Sequence, residues 1–191
     1  FPARLFNAFR ARFVVAVALA CLAALASCTT VDGIGGYSGS GRASLPVPAK
    51  LISTMKSKGM RLADPVMIRI FKQESELEVW KRASNGKYAL LKTYPMCRWS
   101  GQLGPKKTEG DRQAPEGFYP NAYDRAHDRT GTALMVHGAC TSSGCFALTN
   151  DGVGEIYALV RDALDAGQEA VQVQSFPFRM TPQNMAINRG D

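Results

Sequence analysis

The sequence holds only two histidines and two tryptophans among 191 residues, no run of lysine or arginine, and no apolar stretch long enough to span a membrane. Each shortage excludes something. Phosphate contacts demand clustered cations, so without a basic run nucleic-acid binding lacks its electrostatic footprint. With two histidines, a zinc site would have to combine His127 and His137 with Cys140 and Cys145. The C-x4-C spacing is acceptable, but the two histidines lie too far apart in pattern, and no metal is expected. Internal repeats are absent, and so is low-complexity sequence outside one Gly/Ser-rich stretch. The length suits one domain with a real core plus extensions; two domains would be crowded.

The N-terminal stretch does not belong to that core. Arg4, Arg10 and Arg12 precede an apolar run from Phe13 to Ala26. Basic, then apolar, then small residues is the layout of a secretory signal, and the run falls short of the roughly 20 residues a spanning helix needs. It ends in Leu25-Ala26-Ser27-Cys28, which resembles a lipobox, the bacterial lipoprotein signal. An acylated Cys28 would hold the protein at a membrane surface. Residues 1–27 are therefore expected to be a signal peptide and 28–45, rich in Gly, Ser and Thr, a flexible tether. Thr29, rather than the Asp associated with inner-membrane retention, leads to the expectation of outer-membrane sorting on the periplasmic side. Without residues 1–27 there remain 20 basic and 16 acidic residues, a mild +4. Of five cysteines, Cys21 would leave with the signal and Cys28 would carry lipid. The odd number left, Cys97, Cys140 and Cys145, suggests one disulfide and one free thiol in an exported protein.

Along residues 46–191 the hydrophobic period changes several times. Leu51, Ile52, Met55 and Met60 predict a short amphipathic helix over 49–60, with Gly59 near its end. Strands are predicted at VMIRIF (66–71), LEVWKR (77–82) and YALLKTY (88–94), with Asn85-Gly86 as a hairpin signal between the last two. Residues 100–117 are rich in Gly, Pro and charge and predict a loop, with a strand beginning at Phe118-Tyr119. ALMVHG (133–138) predicts a buried strand that runs into the turn ACTSSGC (139–145). Thr149 would cap a helix over 151–166 with Ile156, Leu159, Val160 and Leu164 on one face, stopped by Gly167. AVQVQSF (170–176) is a final strand. The class is mainly β with flanking helices, α+β.

The chemistry concentrates around His137 and Cys145. Every residue between them is small, from Gly138 through Gly144. Such a backbone can fold tightly and aim successive N–H groups into one concavity, as an oxyanion hole requires. A thiol becomes a thiolate at neutral pH when a base stands beside it. On spacing alone, Cys145 as a buried structural cysteine and Cys145 as a nucleophile both stay open.

MVHGACTSSGC is similar to the active-site segment of the L,D-transpeptidase (YkuD-type) family, which carries His-Gly followed by Ser-x-Gly-Cys. The short His-to-Cys interval, with Ser143 where many relatives have a second histidine, resembles the YafK-like branch. RIFKQESELEVWK, LLKTYPMCRWSG, GPKKTEGDRQAPEGFY, PNAYDRAH and FPFRMT resemble it too, in order, over roughly residues 46–185. The resemblance implies a YkuD-like mixed β-sheet sandwich or barrel over 46–191. It implies Cys145 as nucleophile and His137 as general base, with the Gly138 carbonyl orienting the imidazole. The amides of Gly144 and Cys145 would face the oxyanion. Ser143, Gly117, Tyr123 and Arg125 would border the substrate, Arg125 either as a two-pronged carboxylate clamp or as a structural ion pair. Activity would require Cys145 free, which favours a Cys97–Cys140 disulfide over the rival Cys140–Cys145 pairing.

The implied reaction is acyl transfer on peptidoglycan stem peptides through a thioester at Cys145, in cell-wall remodelling, without metal or organic cofactor. Resolution of the thioester by water would make the protein a hydrolase of the same diaminopimelate linkages. Two departures stand out. Tyr119 is followed directly by Pro120, where relatives carry roughly twenty more residues, on the order of two strands with their turn. Asp128 stands where a glycine is expected. The first motivates a further alternative, a catalytically impaired lipoprotein that only binds peptidoglycan.

Overall fold

The computed structural model describes residues 44–119, 126 and 134–189. The expected signal peptide, Cys28, most of the tether, and Tyr123, Arg125, His127 and Asp128 lie outside the described residues. The described residues all fall within one unit, Gly39–Asp191.

Helix α1, Ala49–Ser57, buries Leu51 and Met55, one turn apart. It stops earlier than the predicted 49–60 because Gly59 turns left-handed, at φ +66°. Strand β1, Val66–Phe71, turns Val66, Ile68 and Ile70 inward. It pairs antiparallel with β2, Glu76–Arg82, setting Ile68 opposite Val79 and Ile70 opposite Leu77. The β2–β3 hairpin, with β3 spanning Tyr88–Pro95, turns at Asn85-Gly86 as expected. There Asn85 Oδ1 accepts from the Lys87 amide at 3.0 Å and Gly86 takes φ +78°.

Strand β8, Gln172–Phe176, then lies parallel to β1, with Val173 opposite Ile68, and β5, Gly117–Tyr119, closes its far edge. The sheet order is β3-β2-β1-β8-β5. A parallel neighbour needs a crossover, and helix α2, Asn150–Asp165, lies on the path between them. Thr149 Oγ1 caps α2 by accepting from the Gly152 amide at 3.1 Å. Its inward stripe is Ile156, Ala158, Leu159 and Ala163; Leu164, expected on that face, is 41% exposed, because the smaller alanines make the contact. The short helix α3, Pro182–Ile187, was not expected. Its signals are in the sequence: Thr181 accepts from the Asn184 amide and Pro182 opens the first turn.

A second sheet has the order β4-β7-β6, from β4 (Arg98–Trp99), β6 (Val136–His137) and β7 (Phe146–Ala147). The buried strand predicted at 133–138 is corrected here. Among the described residues of that segment only Val136–His137 is strand, it is half-buried, and Met135 is 57% exposed. The reason is position: among the described residues β6 pairs only with β7, and the fully buried strand of this sheet is β7. The architecture is the expected one, mainly β with flanking helices and mixed sheets. Its core runs from Val47 and Met55 through Leu77 and Val79 to Phe146, Leu148 and Leu159. Among the described residues no helix is long and apolar enough to cross a membrane.

Candidate active site

Strand β7 sets the nucleophile's position. Phe146, Ala147 and Leu148 are fully buried, so Cys145 stands, half-buried, where a fixed strand emerges from the core. β6 lies beside it in parallel, Val136 opposite Phe146 and His137 opposite Ala147. The Phe146 amide donates to the Met135 carbonyl at 3.0 Å and the Leu148 amide to the His137 carbonyl at 2.8 Å. Cys145 immediately precedes β7, on the segment that runs beside β6 and its His137.

The imidazole is held from behind. His137 Nδ1 lies 2.7 Å from the Gly138 carbonyl oxygen. A carbonyl only accepts, so Nδ1 carries the hydrogen, and in the neutral ring Nε2 keeps its lone pair. A Cβ at Gly138 would come within 2.3 Å of Asn150 Oδ1, so a larger residue there would displace that side chain. That oxygen accepts from the Ala139 amide at 3.0 Å and pins the turn to the start of α2. Ala139 and Cys140 both take left-handed backbone, at φ +71° and +51°. From the other side, Cys140 is disulfide-bonded to Cys97, whose amide donates to the Ala147 carbonyl at 3.0 Å. Cys145 is the free thiol among the described residues.

The amides that the sequence reading aimed at an oxyanion do not stand open. Gly144 N–H donates to Ser100 Oγ, and Cys145 N–H to Ser142 Oγ at 3.2 Å. Ser142 Oγ also donates to the Cys145 carbonyl at 2.6 Å and lies 3.2 Å from Ser100 Oγ. Small turn residues that free the backbone also bring their own hydroxyl acceptors to it. An arriving oxyanion would have to replace two hydroxyl oxygens.

A loop, residues 100–116, forms the adjoining wall, and a buried lysine organises it. Lys72 Nζ donates to the carbonyls of Gln102, Gly104 and Ala114 at 2.7, 3.0 and 3.0 Å, pairs with Glu116 at 2.8 Å, and sits 5.0 Å from the Trp99 ring centroid. Burial lowers the Lys72 pKa, and Glu116 opposes the shift. Gln113 adds amide bonds to Gln102 and Gly104. Asp111 Oδ1 pairs with Lys106 at 2.5 Å, and the Asp111 carboxylate also takes the amides of Lys107, Thr108 and Gln113; the Lys106 bond first, and then these amides, hold its pKa well below the usual carboxylate range.

The structure thus gathers Cys145, His137, Gly138, Gly144 and the exposed Ser143 on one turn, with the Cys97–Cys140 bridge beside it. Gly117 sits instead in β5 of the larger sheet, opposite Ser175. Tyr123 and Arg125 lie outside the described residues. Ser100, Asn150 and Lys72 contribute to the site without having been singled out. The one available signal was a lysine directly following an apolar strand run. Among the described residues no group of three or more His, Cys, Asp or Glu side chains is arranged to hold a metal ion.

No family model matches the chain. The chain is 40% identical over 192 aligned positions to the Escherichia coli K12 protein provisionally named L,D-transpeptidase YafK, across 90% of this chain and 73% of that protein. The protein of the same name from Escherichia coli O157:H7 matches to the same extent. Among solved structures, the helical cell shape determining protein Pgp2 from Campylobacter jejuni superposes with a TM-score of 0.43 at 20% identity, over 65% of this chain and 54% of that one. Bd1075 from Bdellovibrio bacteriovorus gives 0.39 at 17% identity, over 60% and 49%. The chain spans about half the length of those two solved chains.

Proposed function

Since the chain belongs to the YafK-type L,D-transpeptidases, we propose that it is a cysteine acyltransferase of the bacterial envelope acting on the stem peptides of peptidoglycan. The observation that carries this reading is a free Cys145 at the start of β7 together with His137 on the neighbouring β6, whose Nδ1 is committed to the Gly138 carbonyl and so leaves Nε2 to act as the base.

The steps follow from that arrangement. His137 Nε2 takes the Cys145 proton, and the thiolate sulfur attacks the carbonyl carbon of the diaminopimelate residue. The C–S bond forms, and the carbonyl π pair moves to oxygen. That oxyanion is received by the Gly144 and Cys145 amides, in place of the Ser100 and Ser142 hydroxyls. Collapse breaks the C–N bond, and the imidazolium returns its proton to the leaving amine. The thioester is resolved by an incoming amine, whose own proton passes to His137. Water arriving instead gives hydrolysis by the same path. Attachment to the outer membrane through lipid on Cys28 completes the reading, which radiolabelled palmitate incorporation, lost in Cys28→Ala, would test.

The decisive experiment has two arms. Cys145 alkylation by iodoacetamide, followed by mass, should be faster than that of a free cysteine, absent in Cys145→Ala, and slowed at least tenfold in His137→Ala. Digestion of purified peptidoglycan should give thioester-dependent products, new crosslinks for transfer or trimmed peptides for hydrolysis. A Cys145 no more reactive in the folded protein than in urea, with peptidoglycan left unchanged, would leave the impaired binding lipoprotein as the reading.

A further inference from the structure

We propose that Arg112 is a specificity-determining residue that recognises a substrate carboxylate next to the scissile bond, a role that rests on the acyl-transfer reading of Cys145. The first observation is placement. Gly144, the residue before the nucleophile, is buried with φ +101°, and a Cβ there would meet Lys106 Nζ at 3.5 Å, Arg112 Cα at 3.6 Å and Arg112 C at 3.7 Å, the lysine being engaged by Asp111. The backbone of Arg112 therefore lies against the turn that carries Cys145.

The second observation is conformation. Arg112 takes φ +56°, a left-handed region that a long L side chain enters at a cost of about 1 kcal/mol. The surrounding loop imposes it. The Asp111 carboxylate gathers the amides on either side, and Lys72 and Gln113 fasten the loop's two legs together. Such a platform presents a side chain at a fixed place, as a binding group requires.

The third observation is charge. Arg112 is exposed, and no ion pair joins it to an acid among the described residues. The adjacent acid, Asp111, is engaged by Lys106, and Glu116 by Lys72. An arginine without an acid partner, its backbone against the turn that carries the nucleophile, suits a planar anion. Stem peptides supply one: diaminopimelate has a second amino-acid centre whose carboxylate lies on the same residue as the attacked carbonyl.

The test uses two alkylating agents of nearly the same size and opposite demand. Iodoacetate carries a carboxylate and iodoacetamide a neutral amide, and each loses iodide to the Cys145 thiolate. The ratio of their rate constants at Cys145 should fall roughly three- to tenfold in Arg112→Gln, as expected for one charge a few ångströms from an anion in a largely aqueous setting. The ratio should stay near wild type in Arg112→Lys and in Lys87→Gln, which removes the same charge at the far end of the β2–β3 hairpin. Arg112→Gly accommodates the left-handed backbone without strain, so it keeps the test valid should the glutamine variant fold poorly. Stem peptides then give the second arm: the wild type should prefer a free diaminopimelate carboxylate over its amide, and Arg112→Gln should lose most of that preference. An unchanged alkylation ratio in both Arg112→Gln and Arg112→Gly overturns the assignment. If the ratio shifts as stated but no peptide is processed by the wild type, the acyl-transfer reading fails and the anion site stands.

Discussion

The five-stranded sheet and the three-stranded sheet of this protein are held by different means. In the larger one β1, β2, β3 and β8 run five to eight residues, and Val66, Ile70, Leu77 and Val79 are wholly buried. Apolar burial, at about 25 cal/mol per Å², sustains that region. In the smaller one every strand has two residues, too few to bury a continuous face. The active-site turn beside it relies on the Cys97–Cys140 bridge and on side chains that bond backbone: Asn150 to Ala139, Ser100 to Gly144, Ser142 to Cys145. The first region should tolerate changes that conserve volume. The second should tolerate few changes of chemistry, because each partner satisfies a specific donor.

The largest effect should come from the bridge. It spans 43 residues of sequence, and the chain-entropy description gives about 4 kcal/mol for such a loop. Cys97→Ser with Cys140→Ser should lower the urea-unfolding free energy by nearly that much and slow Cys145 alkylation as well. A loss below about 1 kcal/mol would mean that the hydrogen bonds hold the turn unaided. Leu77→Ala should cost about 3 kcal/mol by leaving a cavity in the larger sheet. Below its unfolding midpoint, however, the Cys145 alkylation rate should match the wild type. A slower rate in the folded variant would show that the two regions are mechanically one.

The same division decides what could be read from the sequence. β1 was legible residue for residue, because its alternation is imposed by a pleated strand facing a core. The β2–β3 hairpin was legible from Asn85-Gly86, and α2 from Thr149 and Gly167. The parallel seat of β8 beside β1 was not, since periodicity marks a strand without naming its neighbour. In the site, the small residues of the turn announced a tight backbone. That Ser100 would reach Gly144 across 44 positions, or Lys72 would gather carbonyls 30 to 42 positions away, is written only in the packed chain. Even Gly138 was assigned its carbonyl role by resemblance; the contact a side chain there would make, with Asn150 Oδ1, appears only with the fold.

That contact supplies a sharper comparison. Gly138→Ala forces a methyl group against Asn150 Oδ1 and should cost about 2 kcal/mol, with slower Cys145 alkylation because His137 is displaced with the turn. Adding Asn150→Ala removes the obstacle and should recover part of both losses, although the Ala139 amide then lacks its acceptor. Strictly additive losses would place the damage elsewhere than in this contact.

The smallest effect belongs to the larger sheet and is one of pH. Lys81 is wholly buried, with Nζ donating to the Leu62 and Asp64 carbonyls at 2.9 and 2.5 Å. Burial lowers its pKa from 10.5 to about 8, while Asp64 and Asp162 work in the opposite direction. A folded pKa below the unfolded one means that the unfolded chain binds more protons between those two values. Stability should therefore rise with pH across roughly 8 to 10.5, by about 1 kcal/mol per pH unit at most. Other groups titrate as well, so the informative quantity is a difference. Subtracting the urea-unfolding profile of Lys81→Met from that of the wild type should leave an upward slope confined to this window. A flat difference would mean that the two carbonyls hold the ammonium as well as water does, and that the core of the larger sheet, like the active-site turn, is governed by directed polar contacts.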